Sequence, residues 1–232
     1  MTKKAAIHQV NYHPWLGFFN KISQVDCFVL LDTVDYSKNN IINRNKIKVT
    51  NGTTYLTIPI EHEFFRKPLL EVLLPKKSDW AKKHWKTIEL SYSKADFFDS
   101  YNDFFRDVYK NLPEKLVELN ENIIRFLLKE FKIDAEIIKA SELDIDPELK
   151  KTDLLLEILR KVNATSYLSG SGGKGYLEEG KFADIKLEYM NFKHPVYKQL
   201  HGDFIEGLAA IDLLFNEGNS SEKFVKGGNN GM

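Results

Sequence analysis

The chain has 232 residues, 43% of them hydrophobic and 28% charged, with 33 basic and 33 acidic side chains. These proportions are those of an ordinary globular domain, and 16 Phe with 10 Tyr exclude disorder over most of the length. Zero formal charge leaves no field to recruit nucleic acid or an anionic membrane, and a single cysteine, Cys27, excludes an internal disulfide or a cysteine-rich zinc site.

No apolar run approaches the ~18–20 residues of a membrane span. The opening Met-Thr-Lys-Lys-Ala-Ala-Ile-His lacks the apolar core of a signal peptide, so the cytoplasm is the expected compartment.

Ala5–Ile7 and Phe28–Leu31 are short apolar runs of the buried-strand kind, and Phe18, Phe19, Ile22 and Val25 between them have helical spacing. Strand, polar loop, helix, strand is a βαβ unit, which places its loop at the C-terminal edge of a parallel sheet. Asn51-Gly52 predicts a hairpin pairing Lys46–Val49 with Tyr55–Ile58, and Leu69–Leu74 is a further strand candidate before Pro75. From Asp79 to Phe131 the apolar spacing is helical, with an amphipathic stripe from Leu116 to Leu128 after Pro113.

Glu136–Lys139 reads as a short strand, Thr152 as the N-cap of a helix carrying Leu155 to Leu159, and Ala164–Leu168 as a strand closing a second βαβ unit. A last helix, Leu208 to Phe215, stops near Gly218. The expected fold is therefore α/β: a parallel-sheet core built from βαβ units, with a β-hairpin insertion and a helical middle segment. One domain is expected over residues 1–220, followed by a flexible tail over 221–232.

Polar groups concentrate in a few places. The loop after the first strand carries His8, Gln9, Asn11, Tyr12 and Trp15 around a Pro14-x-x-Gly17 turn. Polar side chains crowded between buried elements are costly unless bonded or used. His8 reads as a general base or as a satisfied histidine at a strand end, and Trp15 as packing or as a stacking platform.

Asp32 stands at the C-terminal end of the second strand, a favourable position for a ligand contact; Asp26, at its other end, reads equally as a turn residue. Asn43-Arg44-Asn45 offers a guanidinium for a phosphate or carboxylate, or else a solvated strand end. Ser169-Gly170-Ser-Gly172-Gly173-Lys174-Gly175 follows a strand; its backbone N–H groups and Lys174 suit an anion, whereas the alternative is an exposed turn. It is not a Walker A loop, because Leu168 stands where the first glycine is required and Gly175 follows the lysine.

His194-Pro-Val-Tyr197-Lys-Gln199 forms another polar-aromatic cluster. The scattered histidines show no H-E-x-x-H or H-x-H spacing, so no metal site is expected, and no G-x-S-x-G elbow supports a serine hydrolase.

Several separated stretches resemble the WbqC-like family of bacterial proteins: His8-Gln-x-Asn-Tyr-x-Pro-Trp-x-Gly-Phe-Phe-x-Lys21, Asp32-x-x-x-Tyr36-Ser, Asn43-Arg-Asn45, Thr57-x-Pro59, Lys83-His-x-Lys-Thr-Ile88 and Lys151-Thr-Asp153. The series continues through Tyr167-Leu-Ser-Gly-x-x-Gly-Lys174-x-Tyr-Leu177, His194-Pro-x-Tyr-x-Gln199 and Ile211-Asp-Leu-Leu-Phe-Asn216, so the resemblance spans nearly the whole chain. The chain departs from the pattern at Val10, His13, Asp35 and Gly175.

The resemblance implies a role in surface polysaccharide or O-antigen synthesis: transfer of glycine or another small acyl group to an amino sugar, nucleotide-linked, by a transferase or an ATP-dependent ligase. On that reading His8 is the base. Lys174 and the Gly170–Gly175 backbone hold phosphate, Arg44 orients an anion, and His194 joins the catalytic set. Cofactor identity stays open between ATP and an acyl-CoA. The Pro14-x-x-Gly17 turn bears a faint likeness to nucleotidyltransferases carrying His-x-Gly-His, with Phe18 in place of the second histidine. The competing readings are a non-catalytic nucleotide-sugar or glycan binder and a nucleotidyltransferase-like enzyme. The expected partner is a small molecule rather than nucleic acid, and oligomeric state is left open.

Overall fold

The computed structural model describes residues 2–38, 40–77 and 79–227. In chain order the elements are β1 (Lys4–Gln9), α1 (Leu16–Ile22), β2 (Cys27–Leu31), β3 (Arg44–Val49), β4 (Gly52–Thr57), α2 (Asp79–Tyr92), α3 (Phe98–Lys110) and α4 (Leu116–Glu130). There follow β5 (Glu136–Lys139), α5 (Lys151–Lys161), β6 (Ser166–Ser169), β7 (Lys186–Tyr189), α6 (Ile211–Glu217) and α7 (Ser221–Gly227).

A five-stranded sheet of order β5-β2-β1-β6-β7 forms the centre, with every pairing parallel, and β3-β4 is a separate antiparallel hairpin. Every residue of β2 is buried, as a strand covered on both faces requires. Side-chain alternation divides the core in two. Ala6, Phe28 and Leu30 pack with α1, α4 and the rest of the helical middle, while Ala5, Ile7 and Val29 pack against Leu155 and Leu159 of α5. The chain thus runs outward from β1 through β2 to β5 with its helices on one face. It then crosses by α5 on the other face and builds β6 and β7 on the far side of β1. Parallel crossovers are overwhelmingly right-handed, so a change of direction forces a change of face.

The hairpin forms at Asn51-Gly52, but in another register than expected: Lys46–Val49 pairs with 52–55 rather than with Tyr55–Ile58, Lys46 standing opposite Tyr55 and Val49 opposite Gly52, whose φ of 111° only glycine adopts easily. Other details differ. Leu69–Leu74 is not a strand: Leu69–Glu71 is a 3₁₀ turn, and Leu73 makes an isolated bridge to Lys115. Pro68 and Pro75 bracket the segment and deny it ladder donors, while Leu69 and Leu70 N–H donate to Val34 and Asp32 carbonyls. The α5 helix begins at Lys151 with Lys150 as its cap, and Thr152 instead accepts from Glu178 N–H at 3.2 Å.

The β5-α5-β6 connection is not a simple βαβ unit, because β2 and β1 lie between its strands. β7, four residues with two of them charged, was too short to read in the sequence. Ser221–Gly227, expected as loose tail, is the helix α7. Its Val225 is buried and its carbonyl accepts from Asn20 Nδ2 at 2.7 Å; residues 228–232 lie outside the described residues.

The loop following β1 is tied to the rest of the molecule through its carbonyls. Asn120 of α4, fully buried, donates to both Val10 O and Ile42 O at 2.9 Å, joining this loop to the lead into the hairpin. Asn120→Ala leaves two buried carbonyls without donors. It is expected to lower the unfolding free energy by about 2–4 kcal/mol, measured by urea denaturation at neutral pH.

Candidate functional site

The β1–β6 ladder pairs Lys4 with Ser166 and Ala5 with Tyr167 and then ends, although β1 continues to Gln9 and β6 to Ser169. Beyond that point the two strands part. The gap opens into adjoining cavities of about 310 and 450 Å³ that share His8, Lys21, Gly170 and Gly172. This is the size range of small-molecule sites. The gap also lies at the switch point, where neighbouring strands send their loops to opposite faces and doubly wound sheets bind their ligands.

One wall of the cleft is aromatic. Trp15 leaves the β1 loop and meets Phe192 edge-on, with ring centroids 5.3 Å apart. Gly17 makes this possible: a Cβ there would lie 2.3 Å from the Trp15 ring. The opposite rim is the 3₁₀ turn Ser171–Gly175 after β6. Gly173 is packed so closely that a Cβ would lie 2.1 Å from Ser169 Oγ, so this glycine answers to packing within the turn.

His8 and Lys21 form the polar floor. His8 Nδ1–H donates to Gln9 O at 3.1 Å, which leaves Nε2 with its lone pair. Burial, reinforced by the Lys21 charge, pushes the imidazole down to about 3, so it is neutral at physiological pH and weakly basic. Lys21 is buried in a helix with no exposed residue, donates to Ile7 O at 3.0 Å, and is pushed down to about 7 by burial. The alternation of β1 places that carbonyl: Lys4 O accepts from Asp26 N on the β2 side and Lys3 O from Thr165 N on the β6 side, so Ile7 O also points toward β6. Lys21 therefore occupies the gap left where the ladder stops.

Of the residues singled out in the sequence, the structure brings His8, Gln9, Trp15, Gly170, Gly172 and Gly173 to the cleft. Ser169 lies beneath the glycine turn and donates to Gly170 O. The exposed Lys174 holds its ammonium 5.2 Å from the Tyr189 ring, outside both cavity linings.

The others lie elsewhere. Asn11 is buried behind His8, and Tyr12 belongs to a buried cluster in which its hydroxyl meets His84 Nδ1 at 2.9 Å and the Tyr109 hydroxyl. Asp32 accepts from the Ser141 N–H and hydroxyl at 2.9 and 2.6 Å, fastening the end of β2 to the turn after β5. Asn43 donates to Ile58 O and Asn45 to His13 O, while the Arg44 guanidinium lies 4.8 Å from the Tyr55 ring.

His194 sits one layer behind Phe192, its Nδ1–H donating to Pro195 O at 2.9 Å. Tyr197 donates to the buried Asp212 at 2.8 Å, and Gln199 accepts from the buried Lys48 at 3.0 Å, so both serve a second polar cluster that fixes the hairpin to the C-terminal segment. His8 and His194 do not meet: His194 lines neither cavity.

Lys21, Phe192 and Tyr176 also line the cleft, although nothing in the sequence singled them out as site residues. The one trace of Lys21 is that it is the single cation in the apolar helix Leu-Gly-Phe-Phe-Asn-Lys-Ile. Among the described residues no group of three or more His, Cys, Asp or Glu side chains is placed to hold a metal ion. No described helix is long and apolar enough to cross a membrane.

A doubly wound parallel sheet with a polar, aromatic-walled cleft at its switch point defines the chain as an α/β protein of the open-sheet class. The WbqC-like protein family model matches residues 9–224, and the chain belongs to that family. It is also 31% identical over 233 residues to the uncharacterized protein Rv1507c of Mycobacterium tuberculosis (strain ATCC 25618 / H37Rv), an alignment covering 97% of this chain and 98% of that one. No solved structure matches.

Two expectations follow. Gly17→Ala forces the Trp15 ring outward and should disrupt the aromatic wall while sparing the fold. Near-UV circular dichroism should change and the far-UV signal should not.

The second concerns acid. Burial holds His13 at about 3 and His84 at about 4, both below the unfolded value of 6.5. Their contribution is full above pH 6.5 and is lost as pH falls from there toward 4, because the unfolded chain takes up protons first. From pH 7.5 to 5.0 wild type should lose about 2 kcal/mol per imidazole more than the His13→Asn/His84→Gln variant, compared by urea titration.

Proposed function

We propose that the cleft between β1 and β6 binds a nucleotide-linked amino sugar and that the protein transfers an acyl or aminoacyl group to the sugar amine. The role would lie in surface polysaccharide synthesis, as the family resemblance implies. The observation that carries the reading is the parting of β1 and β6 at the switch point, with a neutral imidazole and a buried amine on its floor.

Acyl transfer to an amine needs a partner for the acceptor nitrogen, a place for the activating group and a wall for the sugar or base. His8 Nε2 accepts a hydrogen bond from the acceptor without charge. Gly170, Ser171 and Gly172 line the cleft, and their N–H groups and hydroxyl are the donors we assign to a phosphate or developing oxyanion. Trp15 and Phe192 offer aromatic surface. Lys174 then acts at the rim, attracting the anionic ligand, and the donor is either an acyl adenylate made from ATP or an acyl-CoA.

The aromatic wall equally suits a non-catalytic glycan or nucleotide-sugar binder, and one experiment separates the two. Wild type and Trp15→Ala are titrated by calorimetry with UDP- and dTDP-linked amino sugars, and product is then sought by mass spectrometry with glycine plus ATP or with acetyl-CoA. Binding that weakens at least tenfold in Trp15→Ala, together with an acylated sugar, is the expected result. Binding without product under any donor moves the protein to the binder class. Absence of binding removes the nucleotide-sugar reading.

A further inference from the structure

Lys21 lines both cavities of the cleft and stands outside the catalytic set that the family resemblance implies. Its amine has one protein acceptor, Ile7 O, and lies 5.7 Å from the face of Phe28. A charged amine carries three donors, so two remain beyond the bond to Ile7 O on a residue that lines both cavities. No Asp or Glu lines either cavity, and among the described residues no carboxylate pairs with Lys21. A buried ammonium without a counter-ion is disfavoured, and the protein relieves this by releasing the proton.

We propose that Lys21 is the proton acceptor of the cleft, taking the proton that the acceptor amine loses as its new bond forms. This rests on the acyl-transfer reading. The acceptor nitrogen attacks the carbonyl carbon of an activated acyl donor, a mixed anhydride with phosphate or a thioester. The C–N bond forms, the bond to phosphate or sulfur breaks, and the leaving group departs with the electron pair. The proton of the acceptor nitrogen moves to Lys21 Nζ. The Lys21 ammonium then faces the departing anion and returns its proton to solvent when the products leave.

His8 is ill suited to this role because burial and the Lys21 charge keep its imidazole from accepting a proton near neutrality. The titratable groups facing Lys21 are His8 from β1, Tyr167 from β6, which burial pushes up, and Tyr176 from the turn beyond it.

The test uses the full chain. Reductive methylation with ¹³C-formaldehyde places dimethyl groups on accessible amines, and Lys21→Arg and Lys21→Met identify the Lys21 resonance by its loss. In a titration the Lys21 signal should move near pH 7, about three units below the exposed lysines. A midpoint shared with the exposed lysines overturns the inference, as does a Lys21 left unmodified when the others are complete.

Thermal unfolding of Lys21→Met gives a second readout. Replacing a buried amine by an apolar side chain of similar length should leave the midpoint at or above that of wild type. A fall of many degrees would make Lys21 a structural bolt on Ile7 and overturn its role as base. These outcomes do not depend on sugar binding: loss of the nucleotide-sugar reading shows in calorimetry with the Lys21 titration intact, and the reverse marks failure of the Lys21 assignment alone.

Discussion

Everything at the candidate site depends on β1 and β6 being neighbours whose chains depart to opposite faces of the sheet. The β1 loop feeds α1 on one face, while β6 is reached through α5 on the other and continues through its glycine turn to β7. The strands can remain paired only while their backbones run together, and the ladder ends at Ala5 and Tyr167. Past that point the β6-facing carbonyl of Ile7 needs a donor that the sheet no longer supplies. Lys21 supplies it from α1, so the break in the sheet and the placement of the buried amine are one structural event.

A cleft formed in this way keeps its shape only if the loop on its floor is fixed. That loop is polar and buried, so its groups must be paired. Val10 O is held by Asn120, Tyr12 N donates to Ile41 O, His13 O accepts from Asn45, and Pro14 O accepts from Ala210 N. These partners come from α4, the hairpin and the segment before α6. The helical middle and the hairpin, which supply no lining residue to either cavity, therefore act by holding the loop. His13 accepts a left-handed φ of 43° as part of that arrangement, and the buried His13, His84, Tyr12 and Tyr109 cluster closes it from below.

What the sequence disclosed follows the same division. The βαβ opening was legible because Ala5–Ile7, the Phe18–Ile22 stripe and Phe28–Leu31 have clear periods, and Asn51-Gly52 marked the hairpin. The polar loop was legible as a concentration of costly groups. How those groups are shared was not: Asn43, Asn45, Asp32 and Gln199 look like ligand-binding side chains in sequence, and each closes a long-range hydrogen bond to a partner that only the fold brings near. Lys21 was hidden for the opposite reason. A lysine at the end of an amphipathic helix normally reaches water, and only the packing of α7 and the sheet on every side of α1 reveals that this one does not.

The energetics of Lys21 separate a structural role from a chemical one. Its amine titrates near 7 when folded against an ordinary 10.5, so the folded state is penalised as pH falls from 10.5 to 7 and the penalty is complete at neutrality. By linkage that is on the order of 4–5 kcal/mol. One hydrogen bond to a backbone carbonyl returns about 1 kcal/mol. A methionine would fill the same space without the penalty, so stability alone does not favour lysine at this position. The buried imidazoles tell a different story. His84 and His13 each meet a tyrosine hydroxyl, and holding them neutral costs the fold nothing at pH 7, because the unfolded chain is largely neutral there too. The amine that lines the cleft thus carries a stability burden at physiological pH that the buried imidazoles do not, as a functional group rather than a packing one would.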